Sequence, residues 1–143
     1  MSRRRVNQRP TSAAAPARPE ACPCGLPARY EECCGRLHRG DAAAATAEQL
    51  MRSRFSAFAV RDAAYLLRSW HPDTRPAEIG FDPGMRWTRL EILGTTEGGP
   101  FHTTGTVEFR AHYTDTGTPG DLHENSRFTR HDGTWVYLDG EVS

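Results

Sequence analysis

Apolar positions between residues 46 and 70 recur at helical spacing. Ala47, Leu50, Met51, Phe55 and Phe58 form one stripe, and Thr46 with Gln49 fits a capping box that opens it. Arg61-Asp62 makes a short break. Ala63, Leu66, Leu67 and Trp70 then repeat at i, i+3, i+4 and i+7, which predicts a second helix stopped by His71-Pro72. Residues 72–84, rich in Pro and Gly, read as a loop. After residue 85 the period changes to two, and strands are expected at 86–94, 104–114, 121–131 and 134–139. Their separators are Glu97-Gly-Gly-Pro, Thr116-Gly-Thr-Pro-Gly and His131-Asp-Gly, with Asp132-Gly133 the strongest hairpin signal. Helices first and a meander of strands after is an α+β pattern, a curved antiparallel sheet packed on N-terminal helices around one core.

The strand faces carry the only hint of a pocket. Val107, Phe109, Ala111 and Tyr113 share one face, while Thr106, Glu108, Arg110 and His112 share the solvent face. In the next strand Glu124 and Ser126 have the parity of Leu122 and Phe128, and so point to the apolar side. Burying a carboxylate alone costs several kcal/mol, roughly, so Glu124 must be paired, with an arginine such as Arg54 or Arg75, or line a wet cavity. Trp70, Trp87, Tyr113 and His71 are its candidate walls. Trp70 also fits a plain core role, and His71 a helix-ending one. Trp135 and Tyr137 alternate with Val136 and Leu138, giving one aromatic and one aliphatic face.

The sharpest chemistry lies upstream of the helices. All four cysteines fall in Cys22-Pro23-Cys24-Gly25 and Cys33-Cys34. Neighbouring cysteines bridge only with strain, so clustered thiols in a reducing compartment point to metal. Four thiolates on one ion make a closed tetrahedral site, with no open position for water and hence no catalysis. Zinc fits that geometry, and iron also binds such sites. The alternative is a set of reduced or redox-active thiols. His38 is the disfavoured alternative to one thiolate, since four sulfurs already satisfy the ion, and Arg29, Arg36 and Arg39 can offset the charge of a tetrathiolate. About 20 residues bury too little apolar surface to fold alone, so metal must supply the stability.

Composition narrows the remainder. The 143 residues carry 18 basic and 18 acidic side chains, a net charge of zero, which argues against a strongly basic nucleic-acid binder. Residues 1–40 hold eight arginines against three glutamates, a local +5 that leaves nucleic-acid binding there as a minor reading. Residues 1–20 have no hydrophobic periodicity and several prolines; they read as a disordered basic tail. Arg3, Arg4 and Arg5 lack the apolar run of a signal peptide, and no segment reaches the ~20 apolar residues of a membrane span, so a cytoplasmic protein is expected. No phosphate-binding loop, nucleophile elbow or zinc-protease motif is present.

Cys22-Pro-Cys-Gly, Tyr30 and Cys33-Cys34-Gly35 resemble the SEC-C metal-binding motif, which also ends the SecA preprotein translocase ATPase. The resemblance implies Cys22, Cys24, Cys33 and Cys34 as ligands. SecA-like members often end in His where this chain has Cys34, and their Ser-Gly-Lys stretch is here Leu26-Pro27-Ala28. The blocks 33–38, 46–58, 70–76, 122–128 and 132–140 together resemble the YchJ (UPF0225) family. That resemblance implies a SEC-C motif over 21–40 followed by an NTF2-like domain over 41–143. It implies a fold rather than a reaction.

Two functions fit these observations. The first is a binding module with a zinc knuckle, a protein or ribosome-associated partner, and a small-ligand cavity under the sheet. The second is an NTF2-like enzyme of isomerase, dehydratase or hydrolase type with Glu124 or His71 as general base.

Overall fold

A computed structural model of the chain describes residues 20–143, so nearly all of the basic tail expected over 1–20 lies outside the described residues. A 3-10 turn, Tyr30–Glu32, leads into α1 (Cys34–His38), α2 (Ala47–Val60) and α3 (Ala63–Arg68). Four strands follow: β1 (Met85–Glu97), β2 (Thr104–Asp115), β3 (Thr118–His131) and β4 (Thr134–Val142). They form one antiparallel meander in the order β1-β2-β3-β4, which is the α+β architecture expected from the pattern.

The helix boundaries follow from side-chain caps. Thr46 Oγ1 accepts a hydrogen bond from the Gln49 N–H at 3.0 Å. The Gln49 side chain reaches back one residue further than a capping box requires, accepting from the Ala45 N–H at 2.7 Å. Arg61 ends α2 in the left-handed conformation, and Asp62 caps α3 by accepting from the Tyr65 N–H. The second helix is shorter than expected. It ends at Arg68, and Trp70 is not its last apolar member but an extended residue in a parallel bridge to Tyr137. Tyr137 N–H donates to the Ser69 carbonyl at 2.9 Å, and His71 N–H donates to the Tyr137 carbonyl at 2.8 Å. Residues 69–71 thus cover part of the free edge of β4, where unpaired backbone groups would otherwise face solvent.

The strands run beyond their expected ends. Thr116 and Gly117 alone make the β2–β3 turn, both with positive φ, so residues 118–120 join the ladder rather than the loop. Pro119 is tolerated there because the β3–β4 pairing starts only at Glu124. Bulges shift the register between Trp87 and Arg89, between Ile92 and Gly94, and between Arg127 and Phe128. Each adds a residue to one strand and bends the sheet. The first places Trp87 opposite Tyr113 and Leu90 opposite Ala111, on one concave face despite their odd spacing.

That concave face closes on α2. Ala47, Leu50, Met51 and Phe55 pack against Leu90, Val107, Phe109, Ala111, Phe128 and Trp135. The convex face is polar. His112, expected on this face, is not free there: its Nε2 lies 2.6 Å from Glu91 Oε1, and His123 and Arg127 similarly pair with Glu108 and Asp139. No helix among the described residues is long and apolar enough to cross a membrane.

Truncating Phe128, 1% exposed at the centre of this core, removes contacts to both α2 and the sheet. Phe128→Ala is expected to cost about 3–5 kcal/mol, and Thr46→Ala only about 1 kcal/mol. Urea unfolding of the two variants checks this ordering; equal midpoints would contradict it.

Candidate functional site

The chain from Ala21 to His38 is folded around sulfur. Gly25 N–H closes a turn onto the Cys22 carbonyl at 3.2 Å, and Cys22 N–H donates to the Ala28 carbonyl at 3.0 Å. The 3-10 turn then delivers Cys33 and Cys34 to the same place. Gly35 is required at the start of α1, because a methyl group there would lie 2.7 Å from the Tyr30 carbonyl oxygen. The four Sγ atoms all lie within 4.8 Å of one another, and Cys24 and Cys33 stand 3.8 Å apart. Sulfurs at about 2.3 Å from a shared tetrahedral ion would be about 3.8 Å apart, so the donor set fits such an ion. Cys22, Cys24 and Cys34 are buried and Cys33 is partly so.

The protonation of the thiols has a clear direction. Hydrogen bonds from Cys24, then Cys34, draw the Cys22 thiol far below its ordinary value. Burial, reinforced by negative charge at Cys24 and Cys22, pushes Cys33 up to about 12. Hydrogen bonding to Cys22 and Cys24, followed by burial, raises Cys34 further. Without a cation the cluster therefore holds protons at neutral pH that a divalent ion must displace.

The surroundings of the cluster are polar and closely tied. His38 is not a substitute ligand. Its Nδ1 takes the Tyr30 hydroxyl at 2.6 Å and its Nε2 lies 2.8 Å from the Ser53 carbonyl, so both ring nitrogens are used. Burial, the main cause, lowers its pKa and keeps it neutral. Arg29, Arg36 and Arg39 are all exposed, and Arg39 binds Asp41. From α2, Arg52 reaches the cysteine turn: its Nη1 donates to the Cys24 carbonyl at 2.8 Å while its Nε pairs with Glu48. Ser56, also on α2, lies 3.6 Å from the Cys22 sulfur.

The other face of α2 floors a cavity of about 220 Å³ under the sheet. Met51, Arg54, Phe55 and Phe58 line it from the helix, with Trp70, Trp87, Phe109, Leu122, Glu124, Ser126 and Tyr137 among its other walls. Three of the expected residues, Glu124, Trp70 and Trp87, do meet here. Tyr113 does not line the cavity; it packs edge-on behind Trp87 with ring centres 5.2 Å apart. His71 is also absent, because α3 stops early. Its Nδ1 instead accepts from the Asp73 N–H, and its ring meets His131.

Glu124 Oε2 accepts from the Ser126 hydroxyl at 2.5 Å and from Tyr137 at 3.3 Å. Its carboxylate lies over Gly140, where a methyl group would collide with it. No ion pair within 4 Å joins it to Arg54 or Arg75 among the described residues. Arg54 is 4% exposed. Its Nη1 donates to the Leu66 carbonyl and the Ser69 hydroxyl, and its guanidinium stacks over Trp70 and Tyr137 at 4.8 and 4.7 Å. Burial lowers its pKa to about 10, which leaves it a cation at neutral pH. Burial, then the Glu124 charge, raises Tyr137, which remains a hydroxyl donor.

A family model described as "YchJ, middle NTF2-like domain" matches residues 46–140. The chain belongs to the YchJ family. A UPF0225 protein of Streptomyces avermitilis is 63% identical over 139 residues, covering 97% of this chain and 94% of that protein. Another, from Ralstonia nicotianae, is 47% identical and covers 90% and 96%. Among solved structures, a SEC-C motif containing protein of Rhodopseudomonas palustris superposes with a TM-score of 0.73 at 34% identity, over 85% of this chain and 98% of that one. One from Psychrobacter arcticus gives 0.66 at 27%, over 85% and 82%. The YchJ fold thus agrees with the NTF2-like body and the cysteine cluster placed before it.

Sequence reasoning named Arg54 only as a partner for Glu124, and missed Ser56, Arg52, Tyr137 and Phe58 as walls or props. A signal for Arg54 was present: it sits at i+4 from Leu50, inside the apolar stripe of its helix. Because protons must leave Cys33 and Cys34 on loading, the affinity of this YchJ knuckle for a divalent ion should rise with pH, by about tenfold per unit for each proton released. Chelator competition at acidic, neutral and mildly basic pH measures it; a flat profile would contradict the protonated cluster.

Proposed function

We propose that this protein is a zinc-dependent binding module. Convergence of four buried thiols on one centre carries the reading. Cys22, Cys24, Cys33 and Cys34 would hold Zn2+, with d10 indifference to ligand field favouring it over iron in an all-sulfur tetrahedron. With four protein sulfurs the ion has no place for water or substrate, so its contribution is folding energy, on the order of 10 kcal/mol in small zinc peptides. Reduced thiols of this kind suit a cytoplasmic location.

Fixing the knuckle fixes what it displays. Leu26 is 42% exposed at its tip, beside exposed Pro27 and Ala28, with Arg29 and Arg36 also exposed. An apolar tip flanked by cations on a rigid support suits a protein partner, ribosomal proteins included, and the cavity under the sheet suits a small ligand. An enzymatic reading keeps one foothold, Glu124 on the cavity wall. Yet that carboxylate already holds two hydroxyls, and His71, the other candidate base, lies elsewhere.

Protein purified without added metal should contain one zinc per chain by elemental analysis, and Cys34→Ser should lose it. Pull-down with the intact chain and with Leu26→Asp, which leaves the sulfurs alone, should give different partner sets. Metal-free native protein, or identical sets, would overturn the corresponding half of this reading.

A further inference from the structure

The cavity holds two opposite charges that do not meet. Arg54 is buried with no carboxylate within 4 Å, and its Nε and Nη2 make no hydrogen bond among the described residues. Glu124 Oε1 likewise has no hydrogen-bond partner there, its two bonds going to Oε2. Trp70 Nε1, alone among these atoms, is fully buried without an acceptor, on a side chain that lines the same cavity. A buried polar group without a partner costs roughly 1–3 kcal/mol in mutational data, so an orphaned indole N–H in the same cavity as two half-used charged groups marks a place where a ligand completes the bonding.

Donors and an acceptor in one cavity select the ligand. A carboxylate would satisfy Arg54 but bring a second negative charge beside Glu124; an ammonium would do the reverse beside Arg54. A pure hydrocarbon would bury all of these groups still unpaired. An uncharged group with adjacent acceptor and donor satisfies both sides, and a primary amide or lactam edge is the simplest. The other walls, Phe55, Phe58, Trp87 and Phe109 among them, suit a flat apolar body. At about 220 Å³ the space exceeds the roughly 150 Å³ that takes a benzene ring, so about ten heavy atoms fit.

We infer that the cavity binds a small aromatic amide or lactam, its carbonyl on the free N–H groups of Arg54 beside Trp70 and its amide N–H on Glu124. This deepens the small-ligand part of the proposed function and is independent of zinc and of the protein partner, so metal content and pull-down can succeed or fail without it.

Benzamide and benzoate are the probes, titrated into the full-length protein and followed by the indole N–H signals in proton–nitrogen spectra. Benzamide should bind with a dissociation constant on the order of 1 mM, as its size allows, and at least about tenfold more tightly than benzoate. The Trp70 and Trp87 signals should move. The Trp135 signal should not, because its Nε1 already donates to the Ala45 carbonyl. Glu124→Gln removes the charge that repels benzoate, and should shrink the preference at least about tenfold. Absence of benzamide binding, tighter binding of benzoate to the native protein, or an unchanged preference in a folded Glu124→Gln protein would each overturn the inference. Because the native comparison stands alone, misfolding of the variant does not protect it.

Discussion

Four sulfur atoms have to meet at one point before the front of this molecule has any reason to hold together. The segment from Ala21 to His38 contributes little to an apolar core beyond Tyr30, Leu37 and the cysteines themselves. Its backbone is tied by a few turn hydrogen bonds, which net only about 1 kcal/mol each. Left without a cation, the cluster is a crowded set of buried groups sharing protons. With one, it would become a rigid unit. The demand is therefore topological: two cysteines from a tight turn and two from a helix start must arrive together, and Gly35 is small because that helix starts against the Tyr30 carbonyl.

α2 then carries the consequence into the body. On one side Arg52 and Ser56 reach the Cys24 carbonyl and the Cys22 sulfur, and Ser53 offers its carbonyl to His38. On the other, Met51, Arg54, Phe55 and Phe58 floor the cavity. A helix used on two faces explains why small polar residues sit inside it. Ser53 and Ser56 are fully buried, and larger side chains there would push the knuckle away from the helix. Buried Ser53 also bonds Tyr65, so the knuckle, α2 and α3 share one polar network.

Most of this was legible residue by residue. The cysteine spacing announced the cluster, the Thr46 cap announced α2, and strand parity put Glu124 and Ser126 on the core side. Three features escaped for a common reason: they depend on register rather than on pattern. Trp87 and Leu90 share a face only because a bulge intervenes, and parity alone would have separated them. Trp70 satisfies a helical stripe, yet the backbone groups of Tyr137 compete for Ser69 and His71 and pull the chain straight. That same substitution of pairing for helix carries His71 away from the cavity. Local propensity was overridden by an edge that needed covering.

Arg54 shows the conflict between stability and use most plainly. A guanidinium this deeply buried is expensive, and a hydrophobic residue of similar volume at its place in the stripe would serve the core at least as well. Its cost is met only partly, by two hydrogen bonds from one nitrogen, by two aromatic faces, and by a carboxylate held out of contact. That carboxylate is restrained in turn by Ser126 and Tyr137, which fix its Oε2 and leave the gap to the arginine open. Were the fold's stability the sole requirement, closing the gap into an ion pair, or removing both charges, would relieve the strain at once. Separated charges facing an apolar hollow therefore answer to a requirement other than stability, and the inferred amide ligand, polar at one end and flat at the other, supplies one.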